Sequence, residues 1–253
     1  MDIGVSVGPY VDRIDELPGS FSFVEVAIGE GERPVSALDP AALSERLTTR
    51  GFGATVHLPY RQPLATTVER IDSATLEYFD TLLAAAAAMG ADTAVAHPRS
   101  RGSGRDHLAD RMGSVVDRAE EHGVTVCFET VGHAGGVALE QVGELAAEAG
   151  AAVCLDVGYA YLEAGTEGTT AFLDSYGDIV DHLHVHGARH RRDTHIPVGS
   201  GDVDYATLGP ALADAAPTTA TVEVFTDDPG YLTSSAERFT AALDGVSPED
   251  EYP

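Results

Sequence analysis

DIVDHLHVHGARHRRDTHIPVGSG, residues 178–201, carries His182, His184, His186, His190 and His195, five of the ten histidines in the chain. Its first part reads as a β-strand with a histidine at every second position. Side chains alternate across a strand, so His182, His184 and His186 share one face, and that face is polar or binds something. Beyond the strand come Arg189, Arg191 and Arg192, then Asp193-Thr194-His195. A carboxylate and an imidazole two residues apart can reach one metal ion together.

A strand of this kind needs a sheet around it, and the rest of the chain supplies one. Short apolar runs recur at Ile3–Val7, Phe21–Ile28, Ala54–Leu58, Thr93–His97, Val124–Thr130, Ala152–Val157, Ile179–His186 and Thr219–Phe225. Helical patterns lie between them. Asp39-Pro40 supplies a cap and a first-turn proline, and Gly51, Gly90, Gly123 and Gly150 stop later runs. The longest helix is expected from about Val68 to Met89, and a short one near Val11–Leu17 is stopped by Pro18-Gly19. Eight strands alternating with helices fit a closed barrel, and Val7-Gly8-Pro9-Tyr10 lacks the glycine spacing of a nucleotide-binding open sheet. The expected fold is α/β, a single (β/α)8 TIM barrel over residues 1–246, followed by a solvated acidic tail at 247–253.

In such a barrel the chemistry collects at the C-terminal ends of the strands. Six consecutive strands end on polar residues: His57, His97, Glu129, Asp156, His184 and Glu223. Each is flanked by apolar neighbours and so points into a low-dielectric site, where an unpaired carboxylate is costly. A divalent cation removes that cost. Glu129, Asp156, His184 and Glu223 form an oxygen-rich, one-nitrogen set suited to Mn, Mg, Co or Zn. His57 and His97 are placed to bind a second ion beside Glu129, and Asp193 with His195 to hold a third or to support the others. Glu25 on the second strand is a further expected substrate contact. Arg99, Arg101 and Arg105 after the fourth strand join the arginines after the seventh at the same rim, where an anionic group such as phosphate would be met.

The motifs also carry a resemblance. His57-Leu58-Pro59-Tyr60, His97-Pro98, Phe128-Glu129-Thr130, Cys154-Leu155-Asp156, His182-Leu183-His184, Asp193-Thr194-His195 followed by Gly199-Ser200-Gly201, and Val222-Glu223 occur in an order that resembles the xylose isomerase-like barrel superfamily. That group includes sugar isomerases, ketose epimerases and the endonuclease IV type of abasic-site nuclease. Two positions depart from it. Tyr159 stands where the nuclease pattern has a metal-binding histidine and where ketose epimerases often have a substrate-contacting one. His190 stands where the epimerases have an arginine, with Arg189 and Arg191 one step either side, so the resemblance implies Tyr159, Arg189 and Arg191 as substrate contacts.

Two functions follow. One is a metal-dependent isomerase or epimerase of a sugar or sugar phosphate, with Glu129 and Glu223 moving a proton next to a carbonyl, help typically worth about 10²- to 10⁴-fold each. The other is an endonuclease IV-like phosphodiesterase with several metals. Nucleic acid is the weaker expectation on grounds of charge and salt. With about six phosphate contacts, a rise from about 0.1 M to about 2 M salt would remove on the order of seven decades of duplex affinity.

The chain carries 41 acidic and 15 basic residues, a net charge of -26, and every basic residue is arginine. An acidic, lysine-free surface points to a halophilic protein, hydrated by dense carboxylates whose repulsion is screened by salt. Cys127 and Cys154 sit in apolar strands and read as reduced core residues, which with the absence of a long apolar run suggests a cytoplasmic protein with no membrane partner. An oligomer is compatible with all of this. The melting temperature should rise as KCl increases from about 0.1 M to about 2 M, because screening relieves the surplus negative charge. A steady fall across that range in a thermal melt would sink the halophilic reading.

Overall fold

The computed structural model describes residues 1–191 and 193–245; Arg192 and the expected tail lie outside the described residues. Eight parallel strands close into a barrel: β1 (Asp2–Gly8), β2 (Phe23–Ala27), β3 (Gly53–His57), β4 (Ala91–Ala96), β5 (Thr125–Glu129), β6 (Ala152–Asp156), β7 (Val180–Val185) and β8 (Thr219–Val222). Their order around the sheet is β1-β8-β7-β6-β5-β4-β3-β2, so each strand pairs with its neighbours in sequence and β1 with β8. All eight expected strands are present, each within a few residues of the apolar run that announced it.

Among the described residues seven α-helices surround the barrel: α1 (Pro40–Arg50), α2 (Glu69–Met89), α3 (Arg105–Glu121), α4 (Leu139–Ala149), α5 (Val157–Tyr176), α6 (Tyr205–Ala215) and α7 (Pro229–Leu243). The β1–β2 connection is only a 3-10 turn, Val11–Glu16, which buries Val11 and Ile14. Asp39 accepts a hydrogen bond from the Ala42 amide at 3.0 Å and caps α1 in front of Pro40, and Asp228 caps α7 in front of Pro229. Proline is pre-organised for the first helical turn and loses no helical hydrogen bond there.

Alternation divides each strand's side chains between two environments. Val24, Val26, Val56, Phe128, Val153, Leu155, Leu183 and Val185 belong to the main core. On the other face Val95, Cys127 and Cys154 form a small separate cluster, two residues below His97, Glu129 and Asp156 in their own strands. The cysteines are free and buried. That layer is the floor on which the polar strand ends stand.

Two further strands of two residues each, Ala65–Thr66 and Ser100–Arg101, pair in parallel above the barrel. The buried Asp72 of α2 anchors them by accepting from the Thr66 amide at 2.9 Å and the Thr66 hydroxyl at 2.7 Å. Among the described residues no helix is long and apolar enough to cross a membrane.

Helix packing turns on one glycine. A Cβ on Gly209 of α6 would lie 2.0 Å from the Ala242 carbonyl oxygen of α7, and backbone cannot yield to it. Gly209→Ala should therefore cost about 1–3 kcal/mol through overpacking and lower the melting temperature by several degrees. An unchanged melting curve would show that α6 and α7 do not pack this closely.

Candidate metal centre

The strand ends deliver their polar residues to one mouth. His57 and Glu129 are the last residues of β3 and β5, His97 follows β4, and Glu223 follows β8. Asp156 ends β6 and also caps α5, accepting from the Tyr159 amide at 2.7 Å. His184 lies within β7 and His186 just beyond it. Glu25, Glu129, Asp156, His184 and His186 are all buried, at 3% exposure or less.

His184 is the hub. Its Nδ1 lies 2.8 Å from Glu129 Oε1 and 3.3 Å from Glu223 Oε2, and its Nε2 lies 3.0 Å from Glu25 Oε2. The other oxygen of Glu129 meets His97 Nε2 at 2.5 Å and His57 Nε2 at 3.2 Å. Glu223 Oε2 is also 3.3 Å from His195 Nε2, and His186 Nε2 is 3.1 Å from Asp156 Oδ1. Carboxylates and imidazoles therefore alternate across the mouth.

Burial and charge compete at every member. Burial would raise the Glu25 carboxyl, but the charge of His184 and hydrogen bonds from His182 and His184 outweigh it and hold it at about 2. The same contest holds Glu129 well below the usual carboxylate range, against burial, through His184 and His97, and Glu223 through His195 and His184. Burial opposes charge on His57, yet its bond to Glu129 raises it to about 9; Asp156 does the same for His186, also to about 9. His184, between three carboxylates, is raised well above the ordinary imidazole value in spite of its burial. Burial pushes His97 down, although it too faces Glu129, since one carboxylate does not sustain a charge on every imidazole around it.

The donors fall into overlapping groups whose ligand atoms lie within 4.8 Å of one another: Glu129, Asp156, His184 and Glu223; His57, His97 and Glu129; Asp156, His186 and His195. The first suits an oxygen-preferring divalent cation, and the others are richer in nitrogen. Glu25 Oε1 and His97 Nδ1 are buried with no hydrogen-bond partner, the kind of unspent polarity that a group bound nearby draws on. Cys154, His182 and His184 also cluster, but His182 is held by the Thr219 and Thr221 hydroxyls at 2.7 and 3.0 Å, and burial pushes the Cys154 thiol up. That lower group is a packed layer.

Some expected residues stand elsewhere. Asp193 is half exposed and pairs with Arg189 at 3.0 Å, and Arg189 also donates to the Ser200 carbonyl, so both are engaged in the loop and neither reaches the network. Arg191 is exposed. Glu25 is buried behind His184, in position to hold that imidazole and with no open face for a substrate. Tyr159 stands over the mouth, its ring 5.6 Å from those of His186 and His195. His186, not among the expected ligands, is inside the network, and the every-second-residue histidine spacing was its signal.

The arginine expectation is redistributed as well. Arg105 pairs with Glu148 at 2.6 Å and with Glu144. Arg99 and Arg101, together with Arg61, line a cleft of about 420 Å³ beside Pro98 and Gly135 in which no lining residue is acidic.

Against known proteins, the family model described as xylose isomerase-like TIM barrel matches residues 12–245. No curated protein matches. Among solved structures, a D-tagatose 3-epimerase-like protein superposes with a TM-score of 0.78 at 19% identity, covering 99% of this chain and 100% of its own. The IolI protein with a bound zinc atom gives 0.78 at 15% identity, with 98% and 100% covered. Endonuclease IV from Thermus thermophilus gives 0.73 at 18% identity, with 96% and 99% covered. At these identities the likeness is one of fold.

A donor set of this kind predicts stabilisation by its ion. Protein stripped with a chelator should melt higher when a divalent cation is restored, by about 2.7 kcal/mol of stability at a hundredfold excess over Kd. A melting temperature that none of Mn, Mg, Co and Zn can move would count against a metal centre here.

Proposed function

The chain belongs to the xylose isomerase-like TIM barrel family, and from that premise we propose that it is a divalent-metal-dependent isomerase or epimerase of a sugar or sugar phosphate. The observation that carries this reading is the placing of Glu129 and Glu223. They reach His184 Nδ1 from β5 and from the end of β8, at 2.8 and 3.3 Å. A buried carboxylate, Glu129, and a partly buried one, Glu223, thus converge on one point from different strands of the barrel.

Glu129, Asp156, His184 and Glu223 would hold a divalent cation, whose Lewis acidity would make the C–H beside a substrate carbonyl easier to deprotonate. Both glutamates are kept ionised by their imidazole neighbours, so either is ready to accept that proton. Delivery of the proton by the carboxylate that took it to the neighbouring former carbonyl carbon, with a proton passing between the two substrate oxygens, would give isomerisation; protonation of the original carbon from the opposite face by the other carboxylate, which must then carry a proton, would give epimerisation. His57 and His97 fix the second oxygen of Glu129. Glu25 holds Nε2 of His184, which leaves Nδ1 aimed at the reacting side. The cleft at Arg61, Arg99 and Arg101 would receive the phosphate of a phosphorylated sugar.

The endonuclease IV-like alternative draws on a different observation, the His57, His97 and Glu129 group, which would seat an additional ion for phosphodiester cleavage. The two readings separate at His57. For an isomerase, Glu223→Gln should abolish exchange of a substrate C–H with solvent deuterium, and His57→Ala should weaken it far less. For a nuclease both variants should be damaged alike. The assay sets wild type and both variants against a panel of ketoses and sugar phosphates and against an abasic-site duplex. Duplex cleavage lost equally in the two variants, with no isotope exchange on any sugar, would overturn the isomerase reading.

A further inference from the structure

Arg46, Arg105, Arg118 and Arg189 spend their charge on neighbouring carboxylates. Arg61, Arg99 and Arg101 do not: in a chain of net charge -26 they are gathered in one cleft and, among the described residues, form no ion pair. We propose that these three arginines form a phosphomonoester subsite, and that the substrate is therefore a phosphorylated sugar and not a free one. The substrate assignment rests on the isomerase reading; the subsite itself does not.

Three observations carry it. The first is unspent polarity. The cleft holds about 420 Å³, and its other walls, among them Pro63, Pro98, Ser100 and Val137, are uncharged. Arg99 is half-buried, and its Nε is buried with no hydrogen-bond partner. A buried donor left unpaired is costly, and a phosphate oxygen would satisfy it while the planar guanidinium offers a second N–H alongside. A phosphomonoester carries a charge of about -1.5 to -2 at neutral pH, which suits several guanidinium groups with no competing acid.

The second is rigidity. The Arg99 carbonyl accepts from the Leu64 amide at 2.9 Å, and Ser100–Arg101 pairs with Ala65–Thr66, the strand that the buried Asp72 anchors. The loop after β4 is thereby fastened to the loop after β3, which carries Arg61. The Arg61 guanidinium lies over the Tyr60 ring, 5.0 Å from its centroid. Cations held in place before a ligand arrives lose little on binding it.

The third is position. Pro98 and Arg99 directly follow His97, whose Nε2 is 2.5 Å from Glu129 Oε2. The Tyr60 ring that supports Arg61 is 5.9 Å from the His97 ring. The cleft therefore lies beside the carboxylate that moves the proton. A sugar with its carbonyl at Glu129 would reach the arginines with a phosphate at the far end of its chain.

The test begins with inorganic phosphate, titrated into the full chain in a calorimeter at constant ionic strength. Phosphate should bind wild type, and bind Arg99→Gln and Arg101→Gln about tenfold more weakly or worse, with circular dichroism as the check on folding. On matched pairs of free and phosphorylated ketoses, wild type should exchange the substrate C–H with solvent deuterium at a kcat/KM about a hundredfold higher for the phosphorylated member. Each variant should lose most of that preference through a higher KM for the phosphorylated member, and not through kcat. Equal phosphate binding by wild type and the folded variants would overturn the subsite. Exchange as fast on free as on phosphorylated ketoses would overturn the substrate assignment. Should phosphate binding fall in the variants while no sugar exchanges, the isomerase reading fails and the subsite stands. Arg101 is exposed, so Arg101→Gln decides the matter if Arg99→Gln does not fold.

Discussion

The pairing of His184 with the carboxylates around it is the interaction on which the rest of the mouth depends. Glu25, Glu129 and Asp156 are buried in a closed barrel, and a buried carboxylate without a partner costs several kcal/mol. His184 answers two of them directly, Glu25 through one ring nitrogen and Glu129 through the other, and reaches Glu223 as well. Its depth inside the strand, and not at the end, lets one ring span from the floor of the site to the reacting side. Removing it would take a partner from three carboxylates at once.

Imidazoles satisfy those carboxylates only by holding protons, and protons on several neighbouring rings repel one another. His57 is raised to about 9 while His97, facing the same Glu129 oxygen, is pushed down. A divalent cation satisfies several carboxylates with one charge centre and releases the imidazoles to bind through their lone pairs. The donor set is thus over-provided for a protein that would rely on hydrogen bonds alone and well matched to one that holds metal.

Much of this arrangement is legible in the chain because both signals behind it are periodic. A strand buried on both faces reads as an apolar run, and a polar residue ending six such runs in succession marks the mouth. What could not be read is what periodicity does not encode. Asp193 and His195 differ by two residues, but the Gly187–Ile196 bridge and the Arg189–Asp193 pair turn the loop so that the histidine enters and the aspartate stays outside. The spacing of the histidines put His186 on the right face, but the room its ring takes beside Gly158 of α5 is a tertiary fact that the spacing does not carry. Glu25 was legible as an inward strand residue, but its depth behind His184 depends on how far β2 is staggered against its neighbours. The two-residue strands above the mouth are too short for any pattern.

The surface and the site also respond to salt differently, and this bears on what the protein can recognise. Surplus carboxylates on the outside interact through water and are screened within about 10 Å at about 0.1 M salt. The His184 network is buried, so its pairs are screened far less. A substrate gripped by chelation and by hydrogen bonds inside the mouth keeps its affinity as ionic strength rises, whereas one recognised along a phosphate backbone loses affinity with every contact. Arg61, Arg99 and Arg101 are grouped in one small cleft next to Pro98, with no acidic residue in its lining. They do not form a stripe. Under the function proposed above, a cleft of that size would take a single anionic group of a small substrate, and neither it nor the acidic surface offers the extended track that a duplex backbone needs.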